Sequence, residues 1–340
     1  MNHKLTFESM RTVTIFILGL CLSHNGLNAQ QETNVPTAQI SSRKTIEYPS
    51  ASAGMMKNQN NWWIMGDDAS KLLSIDPEVG FRYIDIPYQR PLRKEDKNKG
   101  NDARTIKKTK LDWECFASYR DSINEHIWAF GSGSKVKKRD SGIYWLNDEI
   151  HKISLHKFYE HLRMSLYLNE KSWNIEGAAC TDKTLFLLNR NPSLLIPIPL
   201  EEWMRFLQIG ELPKTVEYTT ITLPHINRHR AGLSGATFDQ NRQSLFFTAS
   251  VEVTDDPIRD GEILGSFIGE IKLTDLAKFD WIARLNDRNG EPIITKLESI
   301  CIPPQKGHSD SMLFHCTADN DDGRSDIMRV QVSFTPEKGD

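Results

Sequence analysis

The sequence has few cysteines, no long apolar segment and no excess of positive charge, and each absence excludes a class of protein. Its 340 residues include 5 cysteines, too few for a disulfide scaffold of this size. Lys and Arg total 42 against 45 Asp and Glu, so we expect no nucleic-acid partner. Cys-x-x-Cys pairs and Gly-rich phosphate loops are absent. An ordinary globular protein remains, and the 39% content of hydrophobic residues fits one.

The N-terminus has the pattern of an export signal. Lys4 and Arg11 are followed by the apolar run of residues 12–22 and then by a polar stretch that ends at Ala29. Because a membrane-spanning helix needs about 20 apolar residues, this run is too short to be a permanent anchor. The sequence therefore predicts a signal peptide over residues 1–29, cleaved after Ala29. We expect a periplasmic or secreted mature chain, residues 30–340, with no integral membrane segment.

Four cysteines remain in the mature chain, and their state has two interpretations. They are Cys115, Cys180, Cys301 and Cys316. Cys301 and Cys316 lie on two apolar runs of one segment, where neighbouring strands of an oxidised protein could join them. Alternatively, all four are small buried hydrophobic residues, which is the common situation for free cysteine.

One sequence unit recurs along the chain at a nearly constant spacing. Five anchor positions, Ser52, Glu114, Glu176, Ser234 and Glu298, are separated by 62, 62, 58 and 64 residues. Each anchor opens a short apolar strand, which a turn rich in Asn, Asp, Gly or Lys connects to a second apolar strand. A third apolar run follows in most copies. Three or four antiparallel strands per repeat are typical of a β-propeller blade.

The repeats predict an all-β fold, a single β-propeller over residues 30–340. Five copies are visible and favour five blades; a sixth would have to lie around residues 77–110 or 272–296. The last copy ends after its third strand, so we expect residues 38–47 to complete it and close the ring. Residues 156–168 and 199–207 have helical patterns and predict short inserts between blades. The charged tract 90–104 is interpreted as a solvated loop.

Several short motifs, taken in their order along the chain, resemble a known protein family. They are KLDWECF at 110–116, GSGS at 131–134 followed by Arg139, NIEGA at 174–178, DGEILGS at 260–266 and TAD at 317–319. This combination resembles an exported bacterial β-propeller family known only as a domain of unknown function, distantly similar to phytase-like and gluconolactonase-like propellers. The resemblance covers essentially all of the mature chain. It implies the fold and says little about chemistry.

Three anchor carboxylates are candidate metal ligands. The first strand of each blade lines the central channel, so Glu114, Glu176 and Glu298 should converge at one depth. Carboxylates held this close repel one another, so they must bind a cation, pair with Arg or change their pKa. One hypothesis is a Ca²⁺ ion on the three glutamates. The other is that each glutamate accepts hydrogen bonds from neighbouring backbone and ties the blades together.

A second polar set ends the second strands and should meet the anchors at one end of the channel, here called the axial mouth. It includes three candidate catalytic residues, Arg190, Glu252 and Asp319. The first functional hypothesis is a divalent-metal-assisted hydrolase of a small ester, lactone or phosphoester. The alternative is a propeller that binds a ligand or a partner without catalysis, its ligand a small molecule or saccharide. The sequence does not decide between them, nor does it give the oligomeric state.

Overall fold

The computed structural model describes residues 35–88, 90–147, 149–253, 261–304 and 311–335. The predicted signal peptide, residues 1–29, lies outside these ranges. Most described residues belong to short strands, which agrees with the predicted all-β class. No helix in the described ranges is both long enough and apolar enough to cross a membrane.

The strands form four-stranded antiparallel units in chain order. After β1 (Val35–Ile46), the first unit contains β2 (Ala51–Met56), β3 (Trp62–Gly66), β4 (Lys71–Asp76) and β5 (Gly80–Asp85). The second contains β6 (Trp113–Arg120), β7 (Glu125–Gly131), β8 (Ser141–Leu146) and β9 (Glu149–Ser154). The third contains β10 (Ile175–Cys180), β11 (Thr184–Asn189), β12 (Leu194–Pro199) and β13 (Thr219–Thr220).

The remaining strands complete two further units. The hairpin of β14 (His225–Ile226) and β15 (His229–Arg230) leads into β16 (Gly232–Asp239), β17 (Ser244–Val253), β18 (Glu262–Lys272) and β19 (Trp281–Asn286). The last unit contains β20 (Leu297–Cys301), β21 (Ser311–Asp319) and β22 (Ser325–Thr335) together with β1. The segments 77–110 and 272–296 each supply one outer strand, β5 and β19, to a unit already counted.

The first strands of the units form a closed ring. Contacts run from β2 to β6, β10, β16 and β20, and β20 returns to β2. Five inner strands around one axis, each followed outward by the rest of its unit, define a β-propeller. The predicted propeller architecture is therefore the one observed.

Strand β1 joins the two ends of the described chain. It pairs antiparallel with β22, from Val35 opposite Thr335 to Ile46 opposite Ser325. It also runs parallel to β19, so that the fourth and fifth units share one eight-stranded sheet. Asp326 accepts hydrogen bonds from Arg43 Nε at 2.8 Å and Thr45 Oγ1 at 2.6 Å, across the β1–β22 pair.

Both predicted inserts are helical and pack in space between the second and third units. Trp203 of the second insert lies 5.5 Å from Phe130 of β7 between ring centroids, although along the chain this insert interrupts the third unit. Helix α1 (His156–Ser165) lies between the second and third units, as expected. Helix α2 (Leu200–Ile209) lies inside the third unit, because the chain must return after it to pair β13 with β12. The fully buried Phe158 of α1 packs against rings of α2, at 5.1 Å from Trp203 and 4.8 Å from Phe206 between centroids.

The charged tract 90–104 is not simply a solvated loop. Most of its side chains are exposed, but Asp96 is fully buried and accepts from Arg104 Nε at 2.6 Å and pairs with Lys99 at 3.0 Å. Arg93 pairs with the buried Asp68, which follows β3. The tract is held in place by ion pairs and has no regularly spaced apolar residues. Hydrophobic periodicity in the sequence therefore could not predict that it is packed.

Cys115, Cys180, Cys301 and Cys316 are buried free thiols. Cys301 lies opposite His315 in the β20–β21 register, so Cys316 projects from the other face of the sheet. The two sulfur atoms are therefore on different sides, which excludes the disulfide alternative.

Candidate functional site

Each anchor residue occupies a β-bulge in the inner strand of its unit. The pairing of β2 with β3 skips Ser52, and the corresponding pairings skip Glu114, Glu176, Ser234 and Glu298. A bulge residue has no partner on the neighbouring strand, and the local twist re-aims its side chain. The repeat seen in the sequence thus corresponds to one bulge per blade beside the propeller axis.

The inner strands approach one another very closely at the bulges. A Cβ added to Gly235, which follows the anchor Ser234, would lie 2.8 Å from the carbonyl oxygen of Glu298. Any larger residue there would push β16 away from β20. The serine anchors tie strands together: Ser52 Oγ donates to the carbonyl oxygen of Trp113 on β6, and Ser234 Oγ donates to Thr248 Oγ1 at 3.1 Å.

Glu176 belongs to an ion-pair network that spans the third and fourth units. Its Oε2 accepts from Arg190 Nη1 at 3.0 Å, and its Oε1 accepts from Asn174 Nδ2 at 2.6 Å. The other arm of Arg190, Nη2, donates to Glu252 Oε2 at 2.8 Å. Burial opposes the charge of Arg190, but Glu176 and then Glu252 raise its pKa above the usual value. Arg190 is thus a fixed positive charge between two carboxylates.

Glu298 has its own cation. Lys296 Nζ lies 2.9 Å from Glu298 Oε1 and is held in the charged form by Glu298, followed by Glu176 and Glu252, which raise its pKa despite burial. Burial raises the pKa of Glu298 to about 7, although Lys296 lowers it, and the nearby Glu176 contributes to the rise. A carboxyl group in this range can exchange a proton near neutral pH.

Glu114 lies in a second cluster, with Asp67 from the end of β3 and Asp112 from just before β6. Carboxylate oxygens of the three residues lie within 4.8 Å of one another, close enough to share a metal ion. Burial, Asp112 and Glu176 raise the pKa of Glu114 well above its ordinary value. The ammonium group of Lys110 pairs with Asp67 and with Asp112, the latter at 2.7 Å. A lysine thus already supplies one positive charge to this acidic cluster.

Asp112 is the most heavily hydrogen-bonded carboxylate of the mouth. Besides Lys110, it binds Arg139 Nη1 at 2.6 Å and accepts from Ser132 Oγ at 2.5 Å and Ser134 Oγ at 3.2 Å. Burial alone would raise the pKa of Asp112, but Lys110 and then Arg139 hold it below its ordinary value. Asp112 is therefore charged at neutral pH and fixes the positions of the groups around it.

Asp319 ends β21 on the same side of the ring. Burial raises the pKa of Asp319 to about 7, and the negative charge of Asp67 contributes to this rise. The backbone N–H of Asp321 donates to Asp319 Oδ1 at 3.0 Å and lowers the pKa in part. Lys296 also acts on Asp319 electrostatically, so Asp319 lies between the Asp67 cluster and the Lys296–Glu298 pair. A half-buried carboxyl with this pKa has the properties of a general acid or base.

The structure brings the predicted residues to one end of the ring but divides them into groups. Arg190 and Glu252 lie with Glu176, while Glu298 lies with Lys296. Glu114 joins Asp67 and Asp112, and Asp319 adjoins both sides. The charge of Glu176 raises the pKa of both Glu114 and Glu298. Glu176 is already paired with Arg190, and Glu298 with Lys296.

Sequence reasoning missed three participants, and one signal could have found them. Asp112, Asn174 and Lys296 each stand two residues before a glutamate anchor, so they occupy one repeat position. That position precedes the inner strand and faces the same end of the axis as the bulge. Lys110 was missed because it lies outside this register.

The chain belongs to a family of unknown function, DUF6929, whose model matches residues 47–332. The predicted membership in a propeller family of unknown function is confirmed. A comparison with curated proteins found no match.

Solved structures resemble the chain only distantly. A streptogramin B lyase is 12% identical with a TM-score of 0.37, covering 86% of this chain and 98% of its own. The PQQ-bound aldose sugar dehydrogenase of Streptomyces coelicolor is 10% identical with a TM-score of 0.39, covering 88% and 98%. The WD40 β-propeller domain of Doa1 is 8% identical with a TM-score of 0.35, covering 89% and 98%. Similarities of this size carry no information about the chemistry of this chain.

Proposed function

We propose that the protein is an exported five-bladed β-propeller, periplasmic or secreted, that binds a small polar ligand such as a saccharide or organic acid at its axial mouth. The observation that carries this proposal is the pairing of axial carboxylates with cations of the same chain. Glu176 and Glu252 share Arg190, and Glu298 pairs with Lys296. Buried donors and acceptors held in fixed positions are what a hydroxyl-rich or charged ligand requires.

The ion pairs favour ligand binding over a calcium ion on Glu114, Glu176 and Glu298. A Ca²⁺ ion bound by all three glutamates would have to compete with Arg190 and Lys296, which are tethered and lie within 3.0 Å of their carboxylates. The ring of inner strands supports the five blades of the proposal, since each of the five contacts the next and the last contacts the first.

A metal-assisted hydrolase of a small ester, lactone or phosphoester is the second candidate function. Two observations favour it: the oxygens of Asp67, Asp112 and Glu114 lie within 4.8 Å of one another, and burial raises the pKa of Asp319 to about 7. In this candidate Glu114 holds Ca²⁺ with the two aspartates. Asp319 then acts as the general acid or base, and Arg190 with Glu252 orients the substrate.

Calorimetric titration with neutral sugars, sugar acids and lactones tests the first candidate. Glu252→Gln removes one charge from the Arg190 network and should weaken binding of any ligand of the mouth. Glu201→Gln is the matched control, because Glu201 pairs with Arg205 on the exposed face of α2. Binding that neither variant changes, or no binding by the wild type, would contradict the proposal.

Calcium titration separates the two candidates. The wild type and the variant Glu114→Gln, Glu176→Gln, Glu298→Gln are titrated with CaCl₂, and lactones and phosphoesters are assayed for hydrolysis. Micromolar binding that the triple variant loses, together with turnover that Asp319→Asn abolishes, would establish the hydrolase. If the folded wild type does not bind calcium, the metal-assisted hydrolase is excluded and the ligand-binding propeller is the candidate that stands.

A further inference from the structure

The turn between β7 and β8 presents basic side chains beside the axial mouth. The backbone N–H groups of Lys138 and Arg139 both donate to the carbonyl oxygen of Lys135, at 3.0 and 2.9 Å. These two bonds close a tight turn in which Lys137 has a φ of +63°, so the turn is not helical. The bond from Arg139 to Lys135 brings the backbones of these two basic residues together.

The beginning of this turn is fixed by close packing. Gly133 has a φ of +70°, and a Cβ added there would lie 2.5 Å from Trp173 Nε1. Only glycine combines that backbone conformation with so close an approach to the indole. The Gly–Ser–Gly–Ser sequence thus packs at Gly133 against Trp173 and Tyr159, two residues before Lys135.

Arg139 is anchored by one arm of its guanidinium group. Nη1 donates to Asp112 at 2.6 Å and to Ser134 Oγ at 2.8 Å. Within the described ranges, Nε and Nη2 have no hydrogen-bond partner on the protein. Asp112 also binds Lys110, so its charge is shared between two cations. The free edge of Arg139 keeps the fork geometry that carboxylates and phosphates bind with two hydrogen bonds.

Lys135 is half-buried and has no carboxylate partner among the residues that the structure describes. Burial and then Arg139 lower its pKa, and Lys110 and Lys138 act in the same direction. Asp112 offsets only part of this repulsion. On a mouth that is otherwise lined mainly by acids, this turn is a place where an added anion would be attracted rather than repelled.

We propose that Lys135 and Arg139 form an anion subsite at the lip of the axial mouth, which takes the carboxylate or phosphate group of the ligand. The proposal rests on the proposed ligand-binding function and narrows its ligand to an acid. Asp112 connects the subsite to the axis, because it binds Arg139 and its oxygens lie within 4.8 Å of those of Asp67 and Glu114. The hydroxyl groups of the same ligand would face those carboxylates.

Calorimetric titration at constant ionic strength tests the subsite with inorganic phosphate and with acetate. Lys135→Gln should weaken binding of the preferred anion by about tenfold or more, since a hydrogen bond to a charged group is lost. Lys138→Gln makes the same change of charge on an exposed side chain of the same turn and should alter binding less than about twofold. Preference for phosphate or for acetate identifies the group that the subsite takes. Equal weakening in both variants, or no binding by the wild type, would overturn the proposal.

A measurement on the wild type removes any dependence on the folding of variants. Acetylation of lysines by acetic anhydride, followed by peptide mass spectrometry, should slow at Lys135 but not at Lys138 when saturating phosphate or acetate is present. Unchanged acetylation at Lys135 with both anions overturns the subsite. A neutral sugar whose binding Glu252→Gln weakens and Lys135→Gln does not would also overturn it, while leaving the proposed ligand-binding function intact.

Discussion

Replacement of Arg190 by methionine removes the cation that two buried carboxylates share. The guanidinium group lies 3.0 Å from Glu176 and 2.8 Å from Glu252, and the three side chains are only 14%, 8% and 11% exposed. A hydrogen bond to a charged group contributes about 1.5–3 kcal/mol, and removal of one partner from a buried pair costs about 3–5 kcal/mol. Because solvent screens this site little, we expect Arg190→Met to lower the free energy of unfolding by about 3–5 kcal/mol.

Urea unfolding at pH 8, followed by tryptophan fluorescence, measures this loss. Arg205→Met is the matched control, because Arg205 pairs with Glu201 at the surface of α2, where the side chains are 35% and 81% exposed. We expect the control to change stability by about 0–1 kcal/mol. The variant Arg190→Met, Glu176→Gln, Glu252→Gln should recover much of the loss, since no buried charge is left unpaired. A loss below about 1 kcal/mol in Arg190→Met would refute the assignment of a buried three-residue network.

Three further predictions concern an acid of the mouth, the helices and the N-terminus. Burial raises the pKa of Asp319 to about 7, so its cost to folding is absent below its ordinary value of 3.8, grows as the pH rises from there to about 7, and is constant at higher pH. Asp319→Asn should therefore unfold at higher urea concentration than the wild type at pH 8.5, by roughly 1–3 kcal/mol, and equally at pH 3.5. Phe158→Ala should lose about 3–5 kcal/mol in thermal or urea unfolding, because the ring is fully buried against α2. The exported protein should begin at Gln30, which its intact mass measures.

Each of these predictions has an outcome that would contradict it. An Asp319→Asn variant that is less stable than the wild type at pH 8.5 would mean that the carboxylate is favourably bound there. A loss below about 1 kcal/mol in Phe158→Ala, with Phe81→Ala as an exposed aromatic control, would mean that the helices contribute little. A mass that includes residues 1–29 would exclude the signal peptide.

The repeat spacing predicted the architecture because one period of about 60 residues corresponds to one blade. Glu114, Glu176 and Glu298 could be placed near the axis from their repeat position alone, since the same bulge recurs in every inner strand. The two helical segments could also be predicted from sequence, because apolar residues such as Phe158 and Leu162 recur at four-residue spacing.

The pairing of charges at the mouth could not be predicted from sequence. Arg190 and Glu252 are 62 residues apart, and their contact depends on the angle between neighbouring blades. Lys296 and Glu298 are the exception, since they stand only two positions apart in the chain. The burial of Asp96 depends on Arg104 and Lys99, which carry no apolar signal. Distances between charged groups therefore had to come from the structure.

The double pairing of β1 has a consequence for the order in which the protein folds. Val35 lies opposite Thr335, so the last unit joins segments separated by almost the whole described chain. Closing so long a loop is slow, and its entropic cost must be met before the contacts of β1 stabilise anything. A chain that crosses a membrane unfolded, N-terminus first, would keep β1 without its antiparallel partner until β22 arrives. Ring closure is then the last step, and it delays the native state until the entire propeller has been delivered.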